Sequence, residues 1–126
     1  MLEQFERVQA AAEAALSVAQ QCVKDMVKAF KERHDYVVDA LNKLPGVTCA
    51  PGDGTVYAFP DFSGAIADMD GVESCTDLAA QLLETAEVAL VPGSAFGAPG
   101  CMRLSFAVGM DTLKEAIRRI EQALAK

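Results

Sequence analysis

Glu87-Val-Ala-Leu-Val-Pro-Gly-Ser-Ala-Phe-Gly-Ala-Pro-Gly-Cys-Met-Arg-Leu-Ser-Phe-Ala107 is the stretch that decides the fold. Residues 88–91 are a short apolar run closed by Pro92-Gly93, the mark of a strand that ends in a turn. Residues 101–107 alternate. Met102, Leu104 and Phe106 fall on one face and suit a core; Cys101, Arg103 and Ser105 fall on the other. Arg103 thus sits in mid-strand beside small, weakly polar neighbours. It reads either as a solvated charge or as a planar fork for a carboxylate or phosphate. The loop before it is not a Walker A loop, because no Gly-Lys-[Ser/Thr] follows. That loop is either a tight connection with Phe96 tucked into the core, or a place where glycine lets backbone approach a ligand.

Outward from this stretch, helical periods dominate. Leu2, Phe5, Val8, Ala12, Ala15, Leu16 and Ala19 lie near one face of an Ala-rich helix over 2–19. Val23, Met26, Val27, Phe30, His34, Val37, Val38, Leu41 and Leu44 follow helical spacing, and Pro45-Gly46 ends that run. A shorter helix starts near Ser74 or Thr76 and carries Leu78, Leu82 and Leu83. The last runs from Asp111, read as its N-cap, through Leu113, Ala116, Ile117, Ile120 and Leu124. A short strand over 47–50, the turn cluster 51–54 and a strand over 55–59 read as a hairpin. Residues 60–73 read as an irregular loop. The expected fold is α+β: two layers, with helices on one face of a small mixed or antiparallel sheet of three or four strands.

The 126 residues form one domain that can bury a core without disulfides or metal. Eleven basic against eighteen acidic residues give a net charge of −7, which repels phosphate backbones and anionic membranes. Nucleic-acid and membrane partners are therefore not expected. The most apolar stretch, 88–106, is broken by prolines and glycines and carries Arg103, so it is no transmembrane span. The N-terminus has early acidic residues and no apolar core of a signal peptide, so a cytoplasmic protein is expected. Cys22, Cys49, Cys75 and Cys101 form no paired motif and read as reduced, small apolar fillers. His34 is the single histidine and reads as a partly exposed helix residue, which leaves no metal site.

The 87–107 stretch resembles the C-terminal segment of class I/II pyridoxal-phosphate-dependent aminotransferases, the aspartate-aminotransferase-like fold type I group. Phe30-Lys-Glu-Arg-His-Asp-Tyr-Val-Val38 and Gly54-Thr-Val-Tyr-Ala-Phe-Pro-Asp61 are similar to the same family's small domain. The likeness runs from about Ala10 to the end, with residues 1–9 as an atypical helical extension. The resemblance implies that Arg103 grips the α-carboxylate of an amino-acid or 2-oxo-acid substrate. It also implies lesser substrate contacts at Gly54, Tyr57, Ser94 and Phe96. Val56 stands where the family has an aromatic, and Cys101 replaces a more usual Tyr, His or Asn.

The family holds its cofactor in a preceding large domain with a Schiff-base lysine, an aspartate on the pyridinium nitrogen and a phosphate cup. None of these motifs is in this sequence. Lys24, Lys28, Lys31, Lys43, Lys114 and Lys126 read as solvated charges. The chain is expected to carry no catalytic residue, to bind no pyridoxal phosphate alone and to be inactive without a large domain as partner. The alternative is a stand-alone interaction module that reuses the fold. A cysteine-dependent enzyme lacks any activating cluster. The face that a large domain covers is then open, and exposed apolar surface favours self-association. A homodimer or higher oligomer is expected, with helix 2–19 as the paired or swapped element. A monomer by light scattering at high concentration would contradict this.

Overall fold

The computed structural model describes residues 1–125; Lys126, one of the lysines read as solvated, lies outside them. Helix α1 spans Leu2–Ser17 and α2 spans Gln21–Asn42. Alanines fill the middle of α1, and Glu3 pairs with Arg7 at 3.1 Å one turn away. No residue of α1 is buried. The Gln20 carboxamide donates to the carbonyls of Ala15 and Val18 and closes the end of α1. α2 enters the core only in its second half, where Val37 and Leu41 are buried.

The hairpin expected over 47–59 does not form. Asn42, at the end of α2, takes the place of a strand neighbour. Its carboxamide accepts from the Cys49 N–H at 2.8 Å and donates to the Cys49 carbonyl at 2.8 Å. Thr48, facing the other way, exchanges backbone hydrogen bonds with Asp61. Both edges of this segment are thereby satisfied, and residues 55–59 are left to pair elsewhere.

Residues 60–73 are not wholly irregular, because α3 covers Ser63–Ala67. The backbones of Gly46 and Gly64 touch at its start. A side chain on Gly46, at φ +70°, would run into the backbone of Ala65, so only glycine fits. The Ala65 N–H donates to the Gly46 carbonyl at 3.0 Å across this contact.

α4 spans Cys75–Ala86 with Ser74 as its N-cap. The Ser74 hydroxyl accepts from the Asp77 N–H, and the Asp77 carboxylate accepts in turn from the Glu73 N–H, both at 3.2 Å. Leu78 and Leu82 are buried, but Leu83, expected beside them, is exposed. α5 spans Met110–Leu124 and is capped by Gly109 rather than Asp111. Asp111 instead sits in the first turn, where its charge suits the helix dipole. Leu113, Ile117, Ile120 and Ala123 form its buried stripe.

The strands are β1 (Tyr57–Ala58), β2 (Val91–Pro92) and β3 (Met102–Ser105). They form an antiparallel sheet in the order β1-β3-β2. Only Val91 and Pro92 find partners on β3, opposite Arg103 and Met102, and Gly93 opens a turn, so the strand expected over 88–91 shrinks and slides forward. Ala58, Met102, Leu104 and Phe106 pack against the helices in one core, as alternation predicts. The other sheet face is left open. This is the expected α+β two-layer arrangement. No described helix is long and apolar enough to cross a membrane.

The core and α1 should respond differently to truncation. Leu41→Ala removes a fully buried side chain and should cost about 2–5 kcal/mol in urea unfolding. Leu16→Ala, in exposed α1, should stay within about 0.5 kcal/mol in dilute solution. An equal loss at both positions would mean that α1 packs on the body.

Candidate carboxylate site

The open face of the sheet is where the chain's chemistry collects. Tyr57 lies directly opposite Ser105 in the β1–β3 register, and Arg103 lies directly opposite Val91. Directly paired residues share a face, so Tyr57, Arg103 and Ser105 all point away from the helices. The Arg103 guanidinium carbon sits 4.4 Å from the centre of the Tyr57 ring and 5.2 Å from the Phe96 ring. Phe96 meets Phe59 edge-on, with ring centres 6.2 Å apart. All three aromatics are exposed, and Arg103 is half-buried among them. Phe96 is thus not tucked into the core, the alternative that the loop's sequence left open.

The turn that carries Phe96 is rigidly seated. The 3-10 turn Gly93–Phe96 joins β2 to the approach of β3. The Gly93 N–H donates to the Cys101 carbonyl at 2.7 Å, and the Ala98 N–H donates to the Gly93 carbonyl at 2.9 Å. A side chain at Gly93 would lie 2.5 Å from both the Ala98 and Cys101 carbonyl oxygens, so the loop closes only around glycine. At its base the Phe62 N–H donates to the Gly100 carbonyl at 2.8 Å. Asp61 beside it accepts from the Ser63 N–H at 2.8 Å, and bonds from Ser63 hold its carboxyl below the usual carboxylate range.

Among the described residues Arg103 has no carboxylate partner. Arg7, Arg118 and Arg119 are all paired, and the two arginines on Glu115 hold its carboxyl down to about 2. Arg33 also lacks a carboxylate but rests on a single ring, Phe30, at 5.4 Å. Arg103 alone combines an open charge with two aromatic contacts. Freezing an arginine costs up to about 2 kcal/mol of side-chain entropy. One partly exposed cation–π contact returns about 0.5–1 kcal/mol, so two such contacts roughly offset the loss and one does not. The result is a guanidinium held nearly ready, with in-plane donors free for a planar anion.

The other candidates divide. Ser94 lies in the Gly93–Phe96 turn, exposed, with its hydroxyl 3.4 Å from that of Thr76. Gly54 belongs elsewhere. It lines a cleft of about 440 Å³ with Val27, Phe30, Lys31, His34 and Phe106. His34 there is better covered than its helical position predicts, with a side chain 14% exposed. The Gly52 N–H donates to its Nε2 at 2.9 Å, so the proton sits on Nδ1 and points to Asp35 at 3.0 Å. His34 therefore anchors the 51–54 turn.

One cysteine reading also changes. Cys22 is exposed rather than a core filler. Cys75 is buried, which pushes its thiol up, but polar groups of Gly100, Ser94 and Gly93 in the facing loop outweigh this and hold it below its ordinary value.

Comparison with known proteins gives aminotransferases among both sequences and structures. The model of aminotransferase class I and II matches residues 5–120. The aspartate/prephenate aminotransferase of Nitrosomonas europaea is 46% identical over 122 residues, which cover 93% of this chain and 31% of that protein. The aspartate aminotransferase of Geobacillus stearothermophilus is 45% identical over 114 residues, covering 90% and 29%. Among solved structures, the aspartate aminotransferase of Rhizobium meliloti superposes with a TM-score of 0.86 at 38% identity, covering 93% of this chain and 30% of that one. The chain thus spans less than a third of the length of these relatives.

Proposed function

The chain belongs to the class I and II aminotransferase family, and from that premise we propose that its 126 residues are the family's C-terminal, substrate-carboxylate-binding domain. The observation that carries this reading is Arg103, an uncompensated guanidinium held by Tyr57 and Phe96 on the open face of the sheet. A guanidinium offers two parallel N–H donors to the two oxygens of a carboxylate, which fixes distance and orientation together. An amino acid and its 2-oxo-acid counterpart share that carboxylate, so one arginine serves both sides of an amino-group transfer.

In this family pyridoxal phosphate supplies the carbanion chemistry, and the protein places and tunes it. The residues at Arg103 do not fit that cofactor. Lys24, Lys28, Lys31, Lys43 and Lys114 are exposed on helices or their ends, and none is among the side chains around Arg103. The N–H groups of Gly93, Gly97, Ala98 and Cys101 are spent on carbonyls inside their own loop and are not free to cradle a phosphate. The chain's part in transamination is therefore to seize and orient the carboxylate, with the cofactor held by other parts of a family enzyme. These residues alone are inactive in this reading.

The test is a maleate titration followed on the arginine side-chain N–H resonances. Arg103 should shift selectively, with a weak dissociation constant of about 1–10 mM. Arg103→Lys keeps the charge but loses the fork and should bind about tenfold more weakly, and Arg103→Leu should not bind. Uniform small shifts, or equal binding by Arg103→Leu, would overturn the reading.

A further inference from the structure

Tyr57 and Phe96 reach Arg103 from separate parts of the fold. Tyr57 stands on β1, and its N–H donates to the Thr55 hydroxyl at 2.9 Å. Thr55 itself is held at φ +64°, a left-handed conformation that a β-branched residue rarely adopts. The turn before β1 is thus shaped to deliver Tyr57 at this point. Phe96 comes from the glycine-locked turn between β2 and β3 and is braced by Phe59. Both rings meet the guanidinium, and no carboxylate among the described residues does.

An aromatic face attracts a cation over its π surface and has no acceptor for the in-plane N–H groups. A carboxylate partner would do the opposite and occupy those donors. Rings are therefore the partners that hold an arginine without using up its fork. We propose that Tyr57 and Phe96 are positioning residues. They set the plane and rotamer of the Arg103 guanidinium and so determine its affinity for a carboxylate, without themselves contacting the anion. The sequence resemblance implied substrate contacts at both positions; here they act through Arg103. The proposal rests on the carboxylate reading of Arg103 for its consequence and on ring geometry for its substance, so the two are tested separately.

The experiment uses the 126-residue chain and the variants Tyr57→Leu, Tyr57→Phe and Phe96→Leu. In the unmodified chain the Arg103 δ and ε protons should be displaced by ring currents. Tyr57→Leu and Phe96→Leu should each move them toward unperturbed values and weaken maleate binding about fivefold, the loss expected for one exposed cation–π contact. Tyr57→Phe keeps the ring and discards the hydroxyl, and it should retain both the displacement and the affinity within about twofold. Both rings are exposed, so the fold should survive; if Tyr57→Leu unfolds, Phe96→Leu decides. The proposal is overturned if the unmodified chain shows no ring-current displacement, or if both leucine variants bind as the original does. It is also overturned if Tyr57→Phe loses affinity as Tyr57→Leu does, which would make the hydroxyl a direct contact. Displaced arginine protons with no response to maleate would support the positioning and sink the carboxylate reading instead.

Discussion

The two-sidedness of β3 is the constraint on which the structure depends. It is the middle strand, so its backbone is tied on both edges, to β1 and to β2. Its side chains must then go strictly up or down. Met102 and Leu104, with Phe106 just beyond, are locked in the core beneath α2, α4 and α5. Arg103, between them, has no choice but the open face. A one-residue slip would bury a guanidinium without a partner and expose two large apolar side chains, a cost of several kcal/mol on each count. The core therefore fixes where the charge stands, and the rigidity of the site is inherited from packing on the other side of the sheet.

What surrounds the charge follows from the short outer strands. β1 and β2 are two residues each, so the rings that flank Arg103 are supplied from strand ends and turns rather than from long ladders. That explains why so much of the molecule's conformational specialisation lies nearby. Thr55 has a left-handed backbone, and Gly93 admits no side chain. Strain and close approach of this kind need a stable frame to hold them. On the proposed reading, family membership gives the arrangement its chemical sense, since an amino acid and a 2-oxo acid would present the same carboxylate to one fork. The exposed α1, with Leu2, Phe5, Val8 and Leu16 all facing solvent, marks the part of the chain whose apolar face this body does not use.

Legibility in the sequence followed the range of the interactions. Period and alternation are local, so α2, α4, α5 and the two faces of β3 were readable from single windows. Arg103 was legible for the same reason, as the one charge in an alternating strand. The larger departures were made by distant partners. The absent hairpin comes from Asn42 reaching Cys49 from a helix end. α3 depends on Gly46 and Gly64 touching across 18 residues of sequence. Leu83 follows the right spacing near its helix end but finds nothing to pack on. The resemblance implies a substrate contact at Gly54 beside Arg103, yet His34 draws its turn to another cleft. The resemblance points to Tyr57 and Phe96, but what they touch depends on strand register and the fold of the 93–100 loop, neither of which a single sequence displays.

The central claim is that these residues supply the carboxylate grip of an aminotransferase and not its cofactor site. The most direct test is an intact-mass measurement after mixing the chain with pyridoxal phosphate and reducing with borohydride, with and without an amino-acid donor. The account predicts scattered, substoichiometric labelling of surface lysines that the amino acid does not change. A single stoichiometric adduct on one lysine, protected by the amino acid, would contradict it.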